Sequence, residues 1–379
     1  MPHPTTTTTT HARHKMPLKI AVLGAGGGIG QSLSLLLKTE LRSTCLAADA
    51  AIHVALYDVN RDAVAGAGTD LSHINTPVTV TWHAAAAAAA ADEDPLATCL
   101  RDATLVVIPA GVPRKPGMTR DDLFSINARI VTQLAHGIAA HCDLSRTFVL
   151  LISNPVNSLV PVLVETLVAD SSSSTDPDIA KTIARRVFGL TQLDAVRAST
   201  FLHAALGCGP SDRVRVPVVG GHSGHTIVPL FTQASQSGAQ DHKLRAKVLA
   251  LSPEVLEQLV HRVQFGGDEV VKAKNGTGSA TLSMAYAAAQ VAQAFAELLL
   301  DLRPDLQDTL YANIGAFSNT DVAKQVTKIT NGLAYVSLPL TITKDGIQAI
   351  DLQWAHNLSA EESKLWTTCV RELEGAIKH

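Results

Sequence analysis

Aromatic side chains are scarce in this chain, with 8 Phe, 4 Tyr and 3 Trp among 379 residues. So thin a supply offers no aromatic-lined groove for a peptide. Neither sign of charge dominates, 31 basic residues standing against 34 acidic ones with no basic stripe. That removes the electrostatic case for binding nucleic acid or a membrane surface. The five cysteines, at 45, 99, 142, 208 and 369, are odd in number, widely spaced and contain no C-x-x-C. Reduced thiols inside the cell fit this better than a disulfide frame. No apolar h-region for secretion opens the chain. The run long enough to raise a membrane span, Leu282 to Leu302, is rich in alanine and interrupted by Gln290, Gln293 and Glu297. A core or interface helix is the expectation there.

Acidic residues are absent before Glu40, and Thr5 to Thr10 is a homopolymer followed by His11, Arg13, His14 and Lys15. Residues 1–16 therefore read as a disordered extension or a targeting segment. A basic, hydroxyl-rich, acid-poor start matches a mitochondrial transit peptide, although a single arginine and no apolar face weaken the match. The last residues, Ile377-Lys378-His379, are not the peroxisomal Ser-Lys-Leu. The localisation expected is intracellular, the mitochondrion favoured over the cytoplasm or a peroxisome-like organelle.

What is present begins with size. A chain of 379 residues exceeds one small core, so two packed domains are expected, divided as 17–157 and 158–379. The run Leu18 to Leu23 reads as a strand, Gly24-Ala25-Gly26-Gly27-Gly28-Ile29-Gly30 as a turn, and Gln31 to Lys38 as a helix. A strict G-x-G-x-x-G is missing; Gly24, Gly27 and Gly30 fit G-x-x-G-x-x-G. Strand, glycine turn and helix together bring backbone N–H groups against a pyrophosphate. A second strand, Ile52 to Tyr57, ends at Asp58, where a carboxylate would accept the ribose hydroxyls of NAD and repel the 2′-phosphate of NADP. A helix cap is the other use for Asp58. Its distance from the glycine turn is long, and the excess is assigned to an inserted loop at Ser43–Ala51. Val78 to Trp82 reads as a strand, and the eight alanines from Ala84 to Ala91 as a low-complexity surface insertion. Ser171 to Asp176 reads as another insertion.

Further strands are expected at Leu105–Ile108 and Thr147–Ile152, with a helix at Asp121–His141 carrying Asn127. In a doubly wound sheet, ligands collect outside the carboxyl ends of the strands. Gly24, Asp58, the loop after Ile108 and Asn154 all lie at such ends. That loop, Gly111 to Arg120, carries Arg114 and Arg120. Each guanidinium fork binds a carboxylate with two parallel hydrogen bonds, so the loop suggests a dicarboxylate.

The chain resembles the lactate/malate dehydrogenase superfamily, and within it the mitochondrial-type malate dehydrogenase branch. Gly24–Lys38, Asp70–Ile74, Gly111–Asn127, Ile152–Ser158, Val187–Ser199, Val216–Leu230 and Gly278–Ala285 carry the resemblance, which spans about residues 18 to 350 and fades after Asp301. It implies an α/β fold: an N-terminal Rossmann-type doubly wound parallel sheet plus a C-terminal α+β substrate domain. It implies NAD-dependent, reversible conversion of (S)-malate to oxaloacetate, with His222 as acid/base and Asp194 orienting it. Arg197 would clamp the C1 carboxylate, Arg114 and Arg120 the distal one, and Asn154 would bind the reacting oxygen. Gly24, Gly27, Gly28, Ile29, Gly30, Asp58, Asn127, Asn154 and Met284 would line the cofactor; core packing is an equal reading of Met284. The chemistry suits these residue types. Histidine titrates near working pH and can take the hydroxyl proton, and a carboxylate behind it favours the charged form. Retaining Arg114 against a monocarboxylate would leave an uncompensated charge, at a cost of several kcal/mol.

A metal at His222-x-x-His225 is not expected, because no further ligand lies close in sequence. A homodimer or homotetramer is expected. Two other readings stand: a diverged 2-hydroxy-acid dehydrogenase, in which Arg114 would have been lost, and an idle NAD-binding scaffold, in which His222, Asp194 or Arg197 would have been lost.

Overall fold

The computed structural model of the chain describes residues 17–85, 94–113, 118–172, 174–236, 242–316 and 320–377. Its spine is one mixed sheet of eleven strands. Six of them, β1 (Leu18–Leu23), β2 (Ile52–Asp58), β3 (Thr79–Ala84), β4 (Leu105–Ile108), β5 (Phe148–Leu151) and β6 (Val187–Gly189), pair in parallel in the order β3-β2-β1-β4-β5-β6. The remaining strands are β7 (Val218–Gly220), β8 (Ile227–Pro229), β9 (Leu306–Asn313), β10 (Tyr335–Thr343) and β11 (Gly346–Ile350). They continue the sheet antiparallel from β6 as β9-β10-β7-β8, with β11 alongside β10. The order of the parallel half is that of a dinucleotide-binding fold, whose crevice lies where the order reverses beside β1.

Sequence explains the strands' depth. Both β4 (Leu-Val-Val-Ile) and β5 (Phe-Val-Leu-Leu) are apolar at every position and buried throughout. A parallel strand covered on both faces has no solvent side to mark with polar residues. The helix Gly28–Ala48 packs against the helix Leu282–Leu299, and Arg120–His141 against Val156–Asp170. Leu282–Leu299 buries Met284, Ala285, Ala288, Val291, Ala292 and Phe295 on one face, which accounts for the long apolar run. Among the described residues no helix is long and apolar enough to cross a membrane.

The two halves are stitched where β6 meets β9. Phe148 of β5, Phe188 of β6 and Phe295 form an aromatic triangle there, with ring centroids 5.1 to 6.4 Å apart. The turn after β10 closes on the same region: Gly346, at φ 94°, leaves no room for a Cβ against the Arg185 carbonyl. The Arg185 guanidinium donates to the Ile347 carbonyl (Nε, 2.8 Å) and that of Arg186 to the Lys344 carbonyl (Nη1, 2.6 Å).

The structure corrects one boundary. Ser43–Ala51, expected as an inserted loop, is largely the end of the first helix, which runs to Ala48. Leu37, Leu41, Cys45 and Ala48 are buried at helical spacing, so the core holds this stretch despite its small residues. Asp49, at φ 46°, ends it. The helix also begins earlier than Gln31, at Gly28, inside the glycine turn. Ala84 closes β3 opposite Asp58, while 86–91 of the polyalanine tract, like 1–16 and Ser173, lie outside the described residues.

Candidate active site

The glycine turn follows β1 directly. Gly24 has φ 99°, and a Cβ there would stand 2.5 Å from the Ala110 backbone. A Cβ on Gly30 would stand 2.2 Å from the Gly24 carbonyl oxygen, so only glycine lets the helix sit this close to the strand. Gly27 is the helix N-cap and supplies no side chain to the free N–H groups behind it. They are left for an anion, which the positive end of the helix also favours. Gly28 faces Thr281 across the turn, and Ile29 packs at the margin of the core.

Asp58 ends β2 beside this turn. Its carboxylate accepts the Gly26 N–H (2.8 Å) and the Asn60 N–H (2.9 Å). Capping of the next helix falls instead to Asn60, which accepts from Ala63 N–H. Half-buried Asp58 thus stands fixed at the sheet's carboxyl edge, next to where the pyrophosphate would lie. Glycines without Cβ, uncapped N–H groups and a carboxylate at the second strand's end are a donor and acceptor set that fits NAD.

Asn127 is buried in the helix Arg120–His141 and braces the floor of the crevice. Its Oδ1 accepts the Val112 N–H (2.9 Å), and its Nδ2 donates to the carbonyls of Val112 (3.2 Å) and Asn154 (2.7 Å). One amide thus ties the exit of β4 to the exit of β5. The Asn154 side chain is exposed at that exit. Met284 is 4% exposed and lies within the core. Arg114 falls outside the described residues. Arg120 opens the helix Arg120–His141, behind a capping box in which Thr119 Oγ1 accepts Asp122 N–H and the Asp122 carboxylate accepts Thr119 N–H.

The candidate acid–base pair, Asp194 and His222, joins two distant segments. Asp194 sits in the first turn of the helix Gln192–Ala205, and its side chain is fully buried. Its Oδ2 lies 2.5 Å from His222 Nδ1, and its Oδ1 has no hydrogen-bond partner among the described residues. Arg197 is one turn further along, with Nη1 3.7 Å from that oxygen. A buried carboxylate with one unsatisfied oxygen is costly. With Nδ1 committed to Asp194, Nε2 is the nitrogen left to meet a substrate. Burial pulls the Arg197 guanidinium below its usual value, opposed by Asp194 and Glu269. Among the described residues Arg197 makes a single long ion pair, which leaves it donors for a second carboxylate. Gly266 lets Arg197 lie flat, since a Cβ there would come within 3.1 Å of its Cδ. Beyond it, Arg262 pairs with Glu269 (2.9 Å) and lies over the Phe201 ring (3.9 Å).

His222 itself rides on a tight loop between β7 and β8. Gly220 has φ 103° and Gly224 φ 46°. The Ser223 carbonyl accepts the Thr226 N–H (3.0 Å), and the Gly221 N–H donates to the Thr226 carbonyl (2.8 Å). His225 turns to Gln264 (Nδ1 to Oε1, 3.3 Å) and to the Phe265 ring. Among the described residues no group of three His, Cys, Asp or Glu could hold a metal. Beneath the loop lies a residue that sequence reading passed over: Asn157, whose side chain contacts the loop at three places. It lies inside the Ile152–Ser158 segment that carries the resemblance, where attention went to Asn154 at the strand's end.

Comparison with known proteins agrees with this geometry. The family model for the lactate/malate dehydrogenase NAD-binding domain matches residues 18–178, and that for the lactate/malate dehydrogenase α/β C-terminal domain matches 191–379. The chain is 45% identical to the cytoplasmic malate dehydrogenase of Saccharomyces cerevisiae, covering 100% of this chain and 96% of the relative. It is 40% identical to the mitochondrial malate dehydrogenase of the same yeast, covering 96% and 92%. The crystal structure of Cryptosporidium parvum malate dehydrogenase superposes with a TM-score of 0.72 at 27% identity, covering 96% of this chain and 98% of that one.

Proposed function

Because the chain belongs to the lactate/malate dehydrogenase family, we propose that it is an NAD-dependent malate dehydrogenase with His222 as its acid/base. The observation that carries this is the buried Asp194 carboxylate 2.5 Å from His222 Nδ1, with Arg197 one turn away. NAD, when bound, supplies the two-electron acceptor for the alcohol carbon. Gly24 to Gly30 and Asp58 hold its pyrophosphate and ribose. His222 Nε2 takes the hydroxyl proton during oxidation and returns it during reduction. Asp194 fixes the tautomer with Nδ1 protonated and stabilises the imidazolium once formed. Arg197 holds the C1 carboxylate by its fork, and Asn154 steadies the reacting oxygen. Arg114 and Arg120 hold the distal carboxylate, so a monocarboxylate would leave both unpaired. Asn127 acts from below by holding the Asn154 backbone.

The test is NADH oxidation with oxaloacetate, pyruvate and phenylpyruvate side by side, for the native enzyme and Arg114→Gln. A strong preference for oxaloacetate that collapses in the variant supports the assignment. A preference for a monocarboxylate sinks it and makes the chain a diverged 2-hydroxy-acid dehydrogenase. NADH binding without turnover of any of the three would point to a scaffold.

The finer placements belong to the same proposal: the mitochondrial-type branch, the dinucleotide half at 17–157 and the catalytic half at 158–379. Composition of residues 1–16 supports a mitochondrial address, and the identity to a cytoplasmic relative supports the cytoplasm; imaging tagged chains with and without 1–16 separates them. A homodimer or homotetramer is supported by Leu35 and Leu46, 46% and 67% exposed on the first helix, and light scattering on the purified protein reports it.

A further inference from the structure

We propose that Asn157 is the positioning residue of the acid/base histidine, setting the height and orientation of the His222 loop; this rests on the reading of His222 given above. Asn157 is buried in the first turn of the helix Val156–Asp170. Its Oδ1 accepts the His222 backbone N–H at 2.8 Å. Its Nδ2 donates to Ser223 Oγ (3.0 Å) and Thr226 Oγ1 (3.4 Å). The amide therefore grips the loop at residue 222 and at both ends of the turn that follows. Its orientation is unambiguous, because only the oxygen can accept an N–H.

The loop needs such a hold. Gly220 and Gly221 are forced to be glycine by Thr226 and by Asn157 itself: a Cβ on Gly221 would stand 2.8 Å from Asn157 Nδ2. Gly220 and Gly221 bring no side chains to lock it, and within the loop Thr226 braces only the turn that follows, its Oγ1 accepting the Ser223 N–H (3.1 Å) and donating to the Ser223 carbonyl (2.8 Å). Asn157 is in turn fixed from behind, since its carbonyl accepts the Tyr311 hydroxyl of β9 (3.0 Å). Three residues upstream, the Asn154 carbonyl is held by Asn127. One helix start thus carries both the residue assigned to the reacting oxygen and the residue that places the proton acceptor. That shared base fixes Asn154 and His222 relative to one another across the two halves of the fold.

The substitutions separate positioning from folding. Asn157→Ala removes the grip while leaving the Tyr311 contact to the backbone. A displacement of about 1 Å at a reacting group is worth on the order of 100-fold, so kcat is expected to fall about 10- to 100-fold with the Kd for NADH unchanged. Asn157→Asp keeps an acceptor for the His222 N–H, and the Ser223 hydroxyl can turn to donate to it while the Thr226 hydroxyl stays on the Ser223 carbonyl (2.8 Å). It is expected to recover kcat to within a few-fold of native.

His222→Asn is the control. If it retains native activity, the reading of His222 is overturned. If it is inactive while Asn157→Ala keeps kcat within twofold of native, positioning by Asn157 is overturned and His222 stands. Should Asn157→Ala fail to fold, Asn157→Asp decides: kcat within a few-fold of native at an unchanged Kd for NADH supports the proposal, and a folded variant whose kcat stays lost overturns it.

Discussion

Asp194 can be tested at the scale of a single atom. Asp194→Asn preserves the shape of the site but presents an amide to His222 Nδ1 and removes the charge that stabilises the imidazolium. kcat for malate oxidation is expected to fall about 100- to 10,000-fold, the range for losing general acid–base catalysis. NADH affinity, set some distance away at Gly24–Gly30, should stay within a factor of about two or three. A loss of NADH binding equal to the loss of kcat, read by fluorescence titration, would show that the substitution damaged the fold instead. At this scale the sequence was most informative where chemistry imposes a residue type. The turn glycines follow from what a pyrophosphate requires, whereas Asp194, Arg197 and His222 came with the family resemblance, to whose proposed roles their chemistry is suited. Asn157 escaped, although it lies in the matching Ile152–Ser158 segment, because it is tied to the His222 backbone 65 residues away, a contact that only the fold reveals. Met284 lies buried in the core, where a cofactor contact and simple packing leave the same apolar residue.

At the scale of the element, the helix Arg120–His141 matters because its first residue is one of the proposed substrate arginines. Its start is defined by the reciprocal Thr119–Asp122 box. The Thr119 hydroxyl and N–H hold the Asp122 carboxyl below its usual range. Thr119→Ala is expected to cost about 1 kcal/mol of stability. It should also raise KM for oxaloacetate more than it lowers kcat, because the first turn carrying Arg120 loosens. Thermal melts and steady-state kinetics read the two effects; a lower Tm with an unchanged KM would mean the helix start does not govern substrate binding. Elements also show why boundaries are harder to read than cores. β1, β4 and β5 declare themselves by apolar composition. Ser43–Ala48 does not, because small residues suit loops and helices alike, and only packing of Leu41, Cys45 and Ala48 against the core settles them as helix.

Over the whole molecule, the single sheet makes a charged group near its middle a matter for global stability. Asp308 of β9 is drawn into the interior enough that burial pushes its carboxyl up to about 6, with the Thr309 N–H and the nearby Arg215 and Arg303 pulling the other way. A carboxyl whose folded value lies above its unfolded value favours folding while protonated. Its contribution is therefore full below about pH 4 and lost as pH rises through about 6. Because the side chain is only half-covered by surface area, water reduces the size of the effect. Asp308→Asn should melt higher than the native chain at pH 8, the gap closing by about pH 4; a gap independent of pH would show that ionisation is not the cause. A parallel Rossmann-type half followed by an α+β half was legible from the glycine turn and the family resemblance. That both halves share one hydrogen-bonded sheet was not, because the joining pair, β6 and β9, are separated by more than a hundred residues and meet in a ladder of two residue pairs.

That separation sets a schedule for the newborn chain. The parallel strands are all in hand once Gly189 has been made, yet the free side of β6 has no mate until Leu306–Asn313 leaves the ribosome. At about 5 to 20 residues per second, the wait is roughly 6 to 25 seconds. During that interval β7 and β8 can find only each other, and an unguarded strand edge invites pairing with another unfinished copy. Slowing translation between codons 190 and 306 should therefore lower the soluble yield, and stalling it there should leave a product that chaperones retain.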